Sequence, residues 1–264
     1  MTGLAPQGDP TPLLSVEGVS IRFGGIVALD GVSFQVSCGR ICGLIGPNGA
    51  GKTTLFNCIS RLYRPAGGDI RFEGRRLHEL ARHEIATRGI GRTFQNLALF
   101  RSMTVAQNVL TGTHRHGRGG FVAHALGFPV VRREECEARD RAAALVGEFG
   151  LASVADLRVG ELPFGTQKRV ELARALASEP KLLLLDEPAA GLNHAEVEEL
   201  RSDLEAIRSR RGITMLLVEH HMNLVMGVAD QVVVLDFGRK IADGAPGEVQ
   251  RHADVLRAYL GTAG

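Results

Sequence analysis

The segment at residues 46–53, G-P-N-G-A-G-K-T, constrains the fold of this chain more than any other stretch. It fits the pattern G-x-x-x-x-G-K-[ST], in which closely spaced glycines let successive backbone N–H groups turn inward on phosphate oxygens. Such a loop needs a strand to deliver it and a helix whose positive dipole end faces the anion. Both neighbours are present. Residues 40–45, R-I-C-G-L-I, read as a short apolar strand buried on both faces. Residues 53–60 place Leu55, Phe56 and Ile59 on one helical stripe. An α/β fold with a central parallel sheet is the expectation.

The side chains of the loop suit a nucleoside triphosphate. Gly46, Asn48, Gly49 and Gly51 would wrap the phosphates. Lys52 would bring a full charge to the β and γ oxygens, Thr53 a hydroxyl for Mg²⁺, and Thr54 a donor for the α-phosphate. A second strand supplies carboxylates. Residues 181–188, K-L-L-L-L-D-E-P, describe a buried strand ending in two acids, at the edge where open α/β sheets place their ligands. Paired acids on an all-leucine strand need a cation or a task. Asp186 would hold Mg²⁺ through a water, and Glu187 would act as general base on the attacking water.

Composition narrows the class. With 264 residues the chain can bury a sizeable core. No apolar run approaches about 18 residues, so no membrane span is expected. The first twelve residues, with Pro6, Pro10 and Pro12, lack a basic start and an apolar core, and read as a tail and not a signal peptide. Lys plus Arg number 31 against 29 Asp plus Glu, a balance that gives no argument for nucleic acid. Arg208, Arg210 and Arg211 read as a solvated helix end. Cys38, Cys42, Cys58 and Cys136 form no C-x-x-C pair, so reduced thiols in a core are expected in place of zinc ligands. His221 reads as an exposed neighbour of His220.

Along the chain, residues 13–36 carry strand patterns around a turn, an antiparallel edge, and residues 69–74 alternate at period two into another turn. Residues 105–111 and 132–150 have helical periodicity, separated by a Gly-rich connector at 115–128. Strands resume at 181–188, 213–218 and 231–235, and residues 239–243 with two short helices close the chain. No internal repeat is evident.

The motifs, taken in order, resemble those of the ABC-type ATPases over residues 13–260. Phe23 in S-I-R-F-G-G matches the aromatic that stacks on adenine. Gln95 in G-R-T-F-Q-N matches the glutamine that senses Mg²⁺ and the attacking water. The run L-P-F-G-T-Q-K-R-V at 162–170 matches the signature motif, A-G-L-N at 190–193 the D-loop, and His220 in L-L-V-E-H-H-M the switch histidine that donates to the γ-phosphate. The resemblance implies a RecA-like core with an antiparallel β edge and a helical sub-domain at about 96–178, all within one domain at 13–264. It also implies a dimer, because the signature turn of one subunit caps the ATP of the other. Pro163, Phe164 and Thr166 depart from the common L-S-G-G-Q, so only Gly165 carries over cleanly. Asn193 replaces the usual D-loop aspartate.

These departures, with R-T-F-Q-N-L-A-L-F, E-P-A-A-G-L-N and a terminal R-A-Y-L-G, resemble the ATPase subunit of branched-chain amino-acid importers. That family implies ATP and Mg²⁺ as ligands and a second ATPase subunit, identical or different. It further implies permease subunits reached through Leu97, Leu99 and Phe100, an extracytoplasmic solute-binding protein, and a place at the cytoplasmic face of the membrane. Two other readings stay open: the motor of a lipid or lipopolysaccharide exporter, and a soluble ABC ATPase outside transport.

Overall fold

The structure is a computed structural model and describes residues 12–93, 97–113 and 129–260. The chain opens with an antiparallel hairpin of β1 (Leu14–Phe23) and β2 (Ile26–Val36), followed by β3 (Ile41–Ile45) and α1 (Lys52–Ile59). Next come β4 (Gly67–Phe72), β5 (Arg75–Arg76), α2 (Arg82–Arg88) and β6 (Ile90–Arg92). Three helices follow, α3 (Val105–Thr111), α4 (Pro129–Glu148) and α5 (Phe164–Ala177). The chain then alternates through β7 (Leu182–Asp186), α6 (His194–Arg211), β8 (Thr214–Val218), α7 (Met222–Val228) and β9 (Gln231–Asp236). It closes with β10 (Arg239–Gly244), α8 (Pro246–Val249) and α9 (Ala253–Leu260).

Two sheets result. One is antiparallel, in the order β2-β1-β4-β5; the other runs β10-β9-β3-β8-β7-β6, parallel except for β10. Successive residues of the central strands point to opposite faces, and every residue of β3, β7 and β8 is buried. Ile41, Ile45, Leu183, Leu185, Met215 and Leu217 join the helices on one side. Cys42, Leu44, Leu182, Leu184, Leu216 and Val218 join α1 and the antiparallel sheet on the other. Each fully buried aliphatic side chain contributes roughly 1.5–3 kcal/mol, which is why these strands read as unbroken apolar runs.

Helix boundaries follow their caps. Thr104 Oγ1 accepts from Gln107 N while Gln107 Oε1 accepts from Thr104 N, which starts α3. Asn193 and Glu196 make the same reciprocal pair at the start of α6, and Gly212 ends that helix in the left-handed conformation. α2, β6 and α7 are additions to the sequence reading. α2 buries only Ile85 and β6 is three residues long, so neither carries a readable period.

Three expectations need adjustment. Cys42 and Cys58 are core thiols, whereas Cys38 and Cys136 are exposed. Of the arginines ending α6, Arg208 pairs with Asp230 and Arg211 with Glu148, so two of the three are anchored. Asp230 also accepts from Ile41 N and pairs with Arg40, tying the start of β3 to the end of α6. Leu99 is core, packed in the cluster with Val105 and Val109, while Phe100 is exposed. Burial raises the Cys42 thiol, with Asp243 adding to it, and pushes the Cys58 thiol up to about 11. Thiolates, not thiols, react. Native protein at neutral pH should therefore label at Cys38 and Cys136 and leave Cys42 and Cys58 unmodified until denaturant is added, as read by mass spectrometry of the labelled peptides.

Candidate active site

Pairing of three strands brings the phosphate loop, the two acids and His220 to one edge. β8 lies between β3 and β7, with Leu44 level with Val218 and Val218 level with Asp186. The chain segments that leave these strands therefore start side by side.

The loop after β3 holds its shape through backbone that tolerates no side chain. Gly46 sits at φ 148, and a Cβ there would lie 2.0 Å from Leu235 O. Gly51 caps α1 at φ 99, where a Cβ would lie 2.5 Å from Ala28 O. From behind, Gly238 N donates to Ala50 O. Burial raises the pKa of the Tyr259 hydroxyl of α9, and the Gly46 backbone opposes that shift. Lys52 is 8% exposed, and its ammonium donates to Gly46 O at 2.7 Å and Pro47 O at 2.9 Å. Burial draws its pKa below the ordinary lysine value, with the Glu187 carboxylate opposing that shift. Asn48, Gly49 and Thr53 are exposed and Thr54 is half-buried, so the loop opens outward.

Asp186 ends β7 almost fully buried, its Oδ2 paired with Arg92 Nη2 at 2.8 Å. Arg92 in turn donates to Asn57 Oδ1 of α1 and to Oγ of Ser60, which caps that helix, and lies over the Phe56 ring. One guanidinium thus joins β6, the phosphate-loop helix and the β7 acid. Glu187 follows in the left-handed region at φ 48, with its N–H donating to Val218 O. A non-glycine residue held there stores about 1–3 kcal/mol of strain, and such residues cluster at active sites.

Beyond β8, Glu219 is fully buried and the rings of His220 and His221 are exposed, 5.0 Å apart. Phe23 ends β1 about half-exposed, edge-on to Tyr63 at 5.1 Å. Gly165 lies in the first turn of α5, against the Glu196 side chain, while the Phe164 ring abuts Gly191. Gln95 lies outside the described residues, as do the tail up to residue 11 and the connector at 115–128. Gly46, Lys52, Asp186, Glu187 and His220 are therefore gathered along one sheet edge, and Gly165 belongs to the signature turn at the head of α5. Sequence reasoning missed Arg92 and Glu219. Glu219 is a charge at the end of an apolar strand, the same signal that marked Asp186, whereas Arg92 ends a three-residue strand with no such run before it.

The sheet order, the loop and the acids define a P-loop nucleoside triphosphatase. Comparisons with known proteins refine that class. The ABC transporter model matches residues 29–190, and the branched-chain amino acid ATP-binding cassette transporter model matches residues 239–264. The high-affinity branched-chain amino acid transport ATP-binding protein BraF of Pseudomonas aeruginosa is 44% identical over 252 residues, covering 96% of this chain and 99% of the relative. LivG of Escherichia coli K12, described in the same words, gives the same figures. A nucleotide-free ATP-binding cassette from an ABC transporter superposes with TM-score 0.81 at 30% identity, over 94% of this chain and 99% of that one. The ADP form of the cassette MJ1267 gives 0.81 at 31%, over 95% and 99%. This chain belongs to the ATP-binding proteins of the ABC transporters. No helix among the described residues is long and apolar enough to cross a membrane.

The Arg92–Asp186 pair is nearly buried on both sides, so removing one partner strands a charge. Arg92→Met should lower unfolding free energy by about 3 kcal/mol. Urea denaturation of the two proteins checks this.

Proposed function

We propose that this chain is the ATP-hydrolysing subunit of a membrane importer for branched-chain amino acids. The observation that carries the chemistry is the convergence of Lys52, Asp186, Glu187 and His220 at the ends of three adjacent strands. The transported class rests on likeness over 96% of the chain to BraF and LivG.

The phosphates of ATP sit in the loop at 46–53, over the N-terminus of α1, and Phe23 stacks on the base. Lys52 exchanges its two loop carbonyls for β and γ oxygens. Thr54 donates to the α-phosphate. The donor set fits Mg²⁺, a hard cation that binds one or two protein oxygens and keeps its waters: the Thr53 hydroxyl is exposed, and Asp186 brings a carboxylate whose Oδ2 pairs with Arg92. When bound, Mg²⁺ neutralises charge on the β and γ oxygens. Gln95 completes this set. Glu187 accepts a proton from the water as its oxygen attacks the γ-phosphorus, and the bond to the leaving ADP oxygen breaks. Lys52 and His220 face the charge that builds on the γ-phosphoryl oxygens.

Gly165 and its neighbours in the signature turn serve the nucleotide of a second ATPase subunit, identical or different. Two such subunits close on ATP beneath a pair of permease subunits at the cytoplasmic face of the membrane, and a solute-binding protein delivers the amino acid from outside. Exposed Phe100 offers an apolar contact to the permease.

Glu187→Gln keeps the shape of the side chain and removes the base. The variant should bind ATP with normal affinity, lose at least about a hundredfold in kcat, and run as a dimer in ATP on gel filtration. Turnover near the wild-type rate would defeat the assignment of the base. In a detergent pull-down from native membranes, the same variant should retain two permeases and a periplasmic amino-acid-binding protein; recovery of ribosomes or nucleoprotein instead would defeat the transport reading.

A further inference from the structure

Glu219 is fully buried at the end of β8, and its two carboxylate oxygens hold two different loops. Oε1 accepts from Ala189 N at 2.7 Å, two residues past Glu187. Oε2 accepts from His220 N at 3.0 Å and His221 N at 3.2 Å. Pro188 has no N–H, so Ala189 supplies the first backbone donor after Glu187. The same turn is closed by Ala190 N donating to Glu187 O at 3.1 Å.

We infer that Glu219 is a positioning residue for ATP hydrolysis, fixing the separation between the Glu187 turn and the His220 loop through their backbones. This rests on the roles given above to Glu187 and His220. Two features favour it over a loop staple of no consequence for the reaction. Glu187 sits at φ 48, a conformation its surroundings must enforce, and the Ala189 bond to Glu219 ties the turn that holds it, itself closed by Ala190 N on Glu187 O, to the His220 loop. The His220 ring is 57% exposed, so packing does not aim it, and the peptide that carries it is held by Glu219. His220 Nδ1 lies 3.9 Å from Oε2, beyond hydrogen-bond reach, so the hydrogen bonds of the carboxylate go to the loop and not to the ring. A charged acceptor shared among three amides is a strong and directional tie. A neutral residue of the same size cannot copy it, because glutamine offers one oxygen and turns an NH₂ toward an amide donor.

The test uses the full-length chain with MgATP. Glu219→Gln should melt cooperatively, keep ATP affinity within about twofold, and lose between about tenfold and a hundredfold in kcat, the scale of a misplaced reacting group. Glu219→Asp, which keeps the charge but shortens the reach by one methylene, should behave likewise. In a His220→Ala background, the further loss from Glu219→Gln should fall well short of its effect in the wild type, because residues acting as one unit are not additive. A folded Glu219→Gln or Glu219→Asp with wild-type kcat overturns the inference. So do losses that multiply in full with His220→Ala, a fall in ATP affinity matching that in kcat, or failure of both variants to fold. If His220→Ala itself turns over normally, the reading of the switch histidine fails. If it is impaired while Glu219→Gln is normal, only the role of Glu219 fails.

Discussion

Burial on both faces of β3, β7 and β8 is the constraint from which the rest of this molecule follows. A strand sealed on two sides has no room for charged side chains in its middle, so chemistry is confined to the points where the chain leaves the sheet. Parallel pairing then stacks three such exits at one edge. Charges that emerge there are only partly released to water, and the protein has answered each with a specific partner. Arg92 meets Asp186, three amides meet Glu219, and two loop carbonyls meet Lys52. The site is thus a row of compensated charges set in an apolar wall.

That confinement also explains what was legible in the sequence. β3, α1, β7 and β8 could be placed because fully buried strands write unbroken apolar runs and the loop pattern fixes a strand before it and a helix after it. α3 was placed within its bounds by periodicity, and its start is set by the Thr104–Gln107 box. Contacts between distant segments were not legible. Arg92 and Asp186 are 94 positions apart, and Ala189 and Glu219 are 30 apart; nothing in either local pattern names the other. Glu219 was hidden further by its neighbours, since beside two histidines a lone acid reads as part of a polar loop. Leu99 was misjudged for the converse reason, because an apolar residue outside a regular period gives no direction for its side chain.

The departures from the common signature acquire a physical sense in three dimensions. Phe164 stands where a small residue is usual, and its ring lies against Gly191, where a Cβ would come within 2.9 Å of the ring edge. The aromatic and the glycine therefore pack together across the signature and the D-loop, with the Lys168 ammonium over the ring. Asn193, in place of aspartate, keeps the function that both residues share as helix caps.

Lys52 shows how a binding site can be prepared in advance. Its ammonium is already withdrawn from water and already satisfied by the carbonyls of Gly46 and Pro47. In the proposed site, incoming phosphate would not have to strip a hydration shell from this cation; it would replace one set of acceptors with another. The resting loop is thereby its own internal competitor, and affinity becomes a difference between two internal solvations, one by peptide oxygens and one by phosphate. When product leaves such a loop, the same two carbonyls would stand ready to take the ammonium back.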